Sequence, residues 1–427
     1  MSVRVAPLQH HDPLSHPELA LELQQKWMVW DAFCAGKRRV DLHPIVLSAE
    51  AHANAIAVAT RAANLVWRAG DRAAADPVER ARYRFHADTE RLAAAARTAG
   101  DLGSCVRVDL LLRSDGDFMA CEVNADCPGG HNEAVALPRL ARAAGLRGLY
   151  DPTNVTPRLV DRLIELSGGS GSPRGVIGLV FATAYADDLQ ICALLQRMIK
   201  DRGGRAVRLS PTAVVEDARG DLVYRGDKIA VLYRFYPTEY MEAQKNIEAI
   251  ARATERGELA SMSSFAQMYA QSKLAMARAW AHEPENARDV FPETVALADV
   301  HPQLIAAERE RWVVKRDLSR VGDHVLVGSL FSDEDFGYAL EEVAESEREG
   351  DVWIAQRFIP QRSLATPWGP RMLTLGVYLL DGAFAGYFAR VSPTSLCDGG
   401  ALVLPVFVDD SAKASVAARI DGAEDRA

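Results

Sequence analysis

Two short apolar runs carry polar side chains at a spacing that can do chemistry. Arg107 and Asp109 stand two apart in "CVRVDLLL" (105–112), and Glu122 and Asn124 stand two apart in "DFMACEVN" (117–124). Residues two apart on a strand share a face. The turn signal Ser114-Asp115-Gly116 between the runs predicts a β-hairpin. If the two polar faces coincide, two carboxylates and an amide oxygen gather beside one guanidinium. Such an oxygen set suits Mg²⁺, which takes few protein ligands and fills its shell with water and phosphate. The arginine can hold a phosphoryl or carboxylate group through two parallel bonds. Spacing alone leaves a second reading open, in which the polar face is solvated and Arg107–Asp109 is a surface pair of small value.

Several later residues could complete such a site, each with an ordinary alternative. Lys315 ends the apolar run "RWVVK", and Arg320 and Gly322 lie in the turn that follows. A lysine there can meet nucleotide phosphates, with Gly322 letting backbone N–H groups approach them. Taken alone, a hairpin turn with a snorkelling lysine is the simpler reading. Lys273 falls in an amphipathic run, where a lysine ordinarily marks the solvated face. Gln356, in "WIAQRFI", could present its amide to an adenine edge, and Arg390 shares a strand face with Ser392. Phosphate-loop, dinucleotide-fingerprint, nucleophile-elbow and HExxH patterns do not occur. Cys127, next to Pro128, lacks any sequence-local partner that would make it a nucleophile.

These residues need elements to position them. The runs 17–35, 48–70 and 77–100 have apolar residues at three- and four-residue spacing, which predicts helices. After the hairpin the helical pattern returns over 133–147. The stretch "SGGSGSPRG" (167–175) predicts a linker. Beyond it, strand 176–183, helix 186–204 and strands at 206–210 and 228–236 alternate as in a parallel α/β layer. Helix 263–280 follows, and then strands at 311–317, 324–331, 351–359, 371–392 and 401–408. The whole reads as a mixed α+β or α/β enzyme-like chain.

With 427 residues the chain has room for more than one core. Its net charge of −9 does not predict a nucleic-acid partner. No apolar run reaches the 18 residues a membrane span needs, and the N-terminus lacks the apolar core of a secretory signal. Six scattered cysteines without CxxC spacing predict neither a zinc site nor a disulfide scaffold. A cytoplasmic protein with no nucleic-acid and no membrane partner is the expectation.

The segment "RVDLLLRSDGDFMACEVNADCPGGHNEA" resembles the metal-binding segment of the glutathionylspermidine synthetase-like, circularly permuted ATP-grasp enzymes. "SSFAQMYAQSKLAMARAW", "WVVKRDLSRVGDHV", "WIAQRFI" and "GVYLLDGAFAGYFARVSP" resemble that family's later elements, in its order. Here the metal motif precedes both lysines, as in the permuted group. The resemblance implies a circularly permuted ATP-grasp fold with an N-terminal helical segment. Its divisions would be 1–100 (helical), 101–166 (hairpin and core helices), 176–260 (pre-ATP-grasp-like α/β domain), 261–408 (nucleotide-binding lobes) and 409–427 (flexible tail).

The same resemblance implies an ADP-forming carboxylate–amine ligase that uses ATP and Mg²⁺. Asp109, Glu122 and Asn124 would hold the metal. Lys273, Lys315, Arg320, Gly322 and Gln356 would bind the nucleotide, and Arg107 and Arg390 would act on the transferring phosphoryl. His131, Glu133, Arg234 and Glu239 would meet the acid or amine substrate. The family pattern has proline at the position of Arg316 and glutamate at that of Val321, and its counterpart of "CPGGH" is serine-rich. The two phosphate-loop departures keep two alternatives open, a non-catalytic nucleotide-binding protein and a kinase-like enzyme that stops at phosphorylation. The "CPGGH" departure falls where the acyl substrate is expected, so glutathione is not implied as that substrate.

Overall fold

The computed structural model describes residues 1–8, 14, 17–34, 37–169, 174–183, 186–319 and 322–409. Arg320, part of the expected linker (170–173) and all but the first residue of the expected tail lie outside the described residues.

The predicted hairpin forms, with strands Cys105–Leu112 and Phe118–Asn124. It builds one edge of an antiparallel sheet in which Arg371–Leu380 pairs with Cys105–Leu112, and Ala383–Ser392 lies beyond. Behind this sheet runs the helix Ala49–Ala75, capped by Ser48, whose hydroxyl accepts the Ala51 N–H. Its buried face is mostly alanine, from Ala51 through Ala55, Ala59, Ala62 and Ala69 to Ala73. Small side chains let the helix lie close to the sheet and to the helices around Lys273.

A second sheet carries the parallel strands Val176–Phe181, Ala206–Leu209, Asp227–Phe235 and Ala260–Met262. Helix Ala186–Asp201 makes the first crossover. A third sheet pairs Trp312–Arg316 with Val325–Val327 on one side and Trp353–Arg357 on the other, and buries Trp312, Val314, Phe336 and Trp353 under helix Asp333–Glu349.

The first hundred residues are not wholly helical. Val3–Val5 and Ile45–Leu47 are strands, and Ile45–Leu47 pairs in parallel with Val406–Asp409. Strands of three residues are too short to show a period, and Ile45–Leu47 lies between Val3–Val5 and the distant Val406–Asp409. Helix 263–280 is also broken, into Met268–Gln271 and Leu274–His282, with Lys273 at the break.

Two residues expected at the substrate are structural instead. Arg234 is buried on the strand Asp227–Phe235 and pairs with Asp126, which is equally buried, at 2.8 Å. Its remaining N–H groups donate to Thr238 Oγ1, Ser261 Oγ and the Ser263 carbonyl. Asp126 follows the hairpin directly, so this pair ties the parallel sheet to the end of the hairpin.

His131 opens the helix His131–Ala143 with no solvent exposure. Its ring stacks on Tyr378 with centroids 5.3 Å apart, and Nε2 lies 3.3 Å from the Tyr233 hydroxyl. Burial pulls its pKa down to about 4. The residue type suggested chemistry, but the fold leaves no route from either side chain to a ligand.

Both buried groups make stability measurable. Asp126→Ala strands a buried guanidinium, so chemical denaturation should show a loss of about 3–5 kcal/mol; a loss near zero would contradict the staple. For His131, nothing changes above pH 6.5, where folded and unfolded forms are both neutral. Below it only the unfolded chain takes the proton, so this group removes up to about 3 kcal/mol of stability as pH falls toward 4. Thermal melts of His131→Gln should therefore fall less steeply between pH 7 and 4.5 than those of the parent.

Candidate active site

The hairpin register sets Arg107 opposite Asn124 and Asp109 opposite Glu122, so all four polar residues occupy neighbouring positions. Asp109 is nearly inaccessible. Arg107 donates to it from Nε (2.7 Å) and Nη2 (2.9 Å), and Arg390 donates from Nη2 (2.8 Å). Burial pushes a carboxyl up, but the two guanidiniums outweigh it and hold Asp109 below the usual carboxylate range. The solvated-face reading of this hairpin is thereby excluded.

Room for this cluster comes from a glycine. A Cβ at Gly376, on the adjacent strand, would lie 2.8 Å from Arg107 Cδ and 3.0 Å from the Phe388 carbonyl. The third Arg107 nitrogen, Nη1, donates to the Gly129 carbonyl at 2.9 Å, which also accepts from the Tyr378 hydroxyl. Both guanidiniums lie near the Phe388 ring, at 5.3 and 5.7 Å from its centre. Gly130 wraps that ring with φ +89°, and a Cβ there would meet it at 2.7 Å. The "CPGGH" turn is thus shaped around the arginine pair.

Two lysines reach the other side of the hairpin from separate elements. Lys273 Nζ lies 3.2 Å from Glu122 Oε1 and donates to the Ser319 carbonyl at 3.0 Å. Lys315 Nζ donates to Gln356 Oε1 (2.7 Å) and to the Cys121 carbonyl (3.0 Å). Burial lowers the Lys315 pKa. Glu122 is pushed up by burial, yet Lys273 and then Lys315 bring it below its ordinary value despite nearby Asp109. Four cations and two carboxylates therefore share one compact, weakly solvated volume.

All of them line one cleft of about 1070 Å³. Glu133, Gly322, Gln356 and Cys127 also contribute to its wall, whereas His131, Arg234 and Glu239 do not. Gln356, expected at an adenine edge, has both ends of its amide engaged: Oε1 receives Lys315, and Nε2 donates to Thr294 Oγ1 at 3.1 Å. It holds a lysine rather than offering an open edge to a base. Gly322 has φ +78° and sits against the Cys397 carbonyl, 3.2 Å from where a Cβ would be.

Another part of the wall is built by residues that follow the parallel strands. Asp188 and Gln190 come after Val176–Phe181, Ser210 and Thr212 after Ala206–Leu209, and Tyr236 and Tyr240 after Asp227–Phe235. None of these was singled out from sequence. Their common signal is position, since ligands of parallel sheets bind beyond the carboxyl ends of the strands. Asp317, buried beneath the two lysines, was also missed.

Among the described residues no three His, Cys, Asp or Glu side chains gather as a metal cage. Asp109, Glu122 and Asn124 line the cleft with two carboxylates and an amide. This all-oxygen edge fits a hard cation that takes most of its shell from phosphate and water. Asp109 spends both oxygens on Arg107 and Arg390, so in this arrangement Glu122 and Asn124 are the more available donors.

No helix among the described residues is long and apolar enough to cross a membrane. No curated protein matches the chain. Among solved structures, a glutathione synthetase-like effector from Globodera pallida, in its apo form, is similar with a TM-score of 0.58 and 13% identity, over 94% of this chain and 100% of that one. A protein described as a gamma-glutamylcysteine synthetase from Methylobacillus flagellatus KT has a TM-score of 0.38 and 12% identity, over 72% of this chain and 81% of that one, a likeness too distant to bear on the fold. The family model for the glutathionylspermidine synthase preATP-grasp matches residues 29–409. The mixed α/β architecture is the expected circularly permuted ATP-grasp fold, and the chain belongs to the glutathionylspermidine synthase preATP-grasp family.

Proposed function

We propose that this protein is an ATP-dependent carboxylate–amine ligase that forms an amide through an acyl phosphate and releases ADP and phosphate. One observation carries the reading. Arg107 and Arg390 pair with Asp109, Lys273 pairs with Glu122, and Lys315 reaches the same cleft from a fourth segment. A cluster of this kind is arranged for a polyanion, and family membership points to a nucleotide.

In the proposed reaction a substrate carboxylate attacks the γ-phosphorus of ATP, and the bond to the β-phosphate oxygen breaks to give ADP. The amine then attacks the acyl carbon, and phosphate leaves. Positioning and charge neutralisation supply most of the catalysis in such phosphoryl transfers. Lys273 and Lys315 would take up phosphate charge from two separate segments. Arg107 and Arg390, held parallel by Asp109, would face the transferring phosphoryl and then the acyl-phosphate oxygens. Glu122 and Asn124, with Asp109, would hold Mg²⁺, whose contribution is to neutralise phosphate oxygens. Gln356 would keep Lys315 in place. The Gly322 turn, seated on the 395–399 loop, would help exclude water from an intermediate that hydrolyses readily. Of the residues expected at the substrate, Glu133 alone lines the cleft.

Incubation with ATP, Mg²⁺ and pooled carboxylates and amines should release ADP only when both pools are present. ADP formed with the carboxylate alone would indicate the kinase-like alternative, nucleotide binding without turnover the non-catalytic one, and AMP would exclude an acyl phosphate. Lys315→Met should lower kcat/KM by about 100-fold or more. In the folded double variant Glu122→Ala, Asn124→Ala, turnover should collapse, and unchanged Mg²⁺-dependent turnover would refute their assignment.

A further inference from the structure

The break in the helix at Lys273 has a cause outside the helix. Asp317, directly after the Lys315 strand, sends its carboxylate under the helix start, where Oδ1 accepts the Lys273 N–H at 2.5 Å and the Leu274 N–H at 3.4 Å. Oδ2 accepts the Ser272 hydroxyl at 2.8 Å. Helix Leu274–His282 is thus capped by a residue from another segment, placing a negative charge at the positive end of its dipole.

The other end of Lys273 is held by the same short segment, since its Nζ donates to the Ser319 carbonyl. Backbone and ammonium group are therefore both gripped by residues 317–319. Asp317 is buried but does not line the cleft, and burial raises its pKa against the opposing pull of Lys273.

We propose that Asp317 is a positioning residue that locks Lys273 to the Lys315 strand, so that the two lysines present a fixed pair of cations to one anionic ligand. The proposal rests on the nucleotide reading above, with a polyphosphate as the ligand. Lys273 and Lys315 lie on separate segments, and the carboxylate bonds the start of the Lys273 helix directly to the end of the Lys315 strand. With Asp317 shortened, the Lys273 N–H loses its acceptor and the Leu274 N–H keeps only the Ser272 hydroxyl. The helix can then rejoin the preceding turn and draw the ammonium group from the hairpin.

The test is a double-mutant cycle read by calorimetric titration of a non-hydrolysable ATP analogue with Mg²⁺, using full-length chain whose folding is checked by circular dichroism. Asp317→Ala should weaken analogue binding by about tenfold, and in a Lys273→Met background it should add little further loss, because the two changes act through one group. Asp317→Asn retains one acceptor oxygen and should recover part of the affinity, which also serves if the alanine variant does not fold. Unchanged affinity in both Asp317 variants, or full additivity with Lys273→Met, overturns the positioning role while leaving the nucleotide reading intact. Failure of the parent protein to bind the analogue overturns the nucleotide reading and this inference with it.

Discussion

The constraint on which the site depends is the burial of Asp109 between two guanidiniums. An ionised carboxylate is costly to take out of water unless charge and hydrogen bonds replace its hydration. Here Arg107 grips it with two nitrogens and Arg390 with a third. That arrangement brings three strands into register, since Arg107 and Asp109 lie on one, Gly376 on the next and Arg390 on the third. A side chain at Gly376 would occupy the space of the Arg107 stem. Sheet register and site electrostatics are therefore one requirement, and a slip of one residue would turn every charge to the opposite face.

Around this fixed centre the lysines are attached less rigidly. Lys315 stands on a strand and is steadied by Gln356, which Thr294 steadies in turn. Lys273 sits at a helix break, touching Glu122 from the hairpin and Ser319 from the following loop. The arginine end is built into a continuous sheet, whereas the lysine end joins separate elements through side-chain bonds. Opening or closing of the cleft would accordingly move the lysines against the arginines, with little change within either pair.

Much of this was legible in the sequence, and the failures share a cause. The hairpin could be read because its signals are local: period-two spacing, a Ser-Asp-Gly turn and apolar neighbours. Ile45–Leu47 could not, because it is only three residues long and one of its two strand partners begins at residue 406. The helix break at Lys273 was hidden for the same reason, since Asp317 competes for its N–H groups from a separate segment. His131 and Arg234 misled in the opposite direction. Their types suggest chemistry, but whether such a side chain meets a ligand depends on solvent access. Here both are enclosed, the one by Tyr378 and Tyr233, the other by Asp126 and three hydroxyl or carbonyl partners.

Topology also explains how one cleft can separate reaction from recognition. The charged end draws on the antiparallel sheet and its lysine-bearing neighbours, where residues are fixed by register. The parallel-sheet side is made from segments following three parallel strands, which can vary without disturbing strand pairing. The two sides are joined by Asp126, which ends the hairpin, and Arg234, which belongs to the parallel sheet. Because that pair is fully buried and multiply bonded, the sheets behave at this point as one support. A change in those loops can alter which molecule fits, while Arg107, Asp109 and Arg390 keep their mutual geometry. The departure at "CPGGH" belongs to the charged end by this criterion, because Gly129 receives Arg107 and Gly130 wraps Phe388. Its altered residues therefore support the arginine pair, whereas Asp188, Gln190, Tyr236 and Tyr240 line the cleft from the parallel-sheet side.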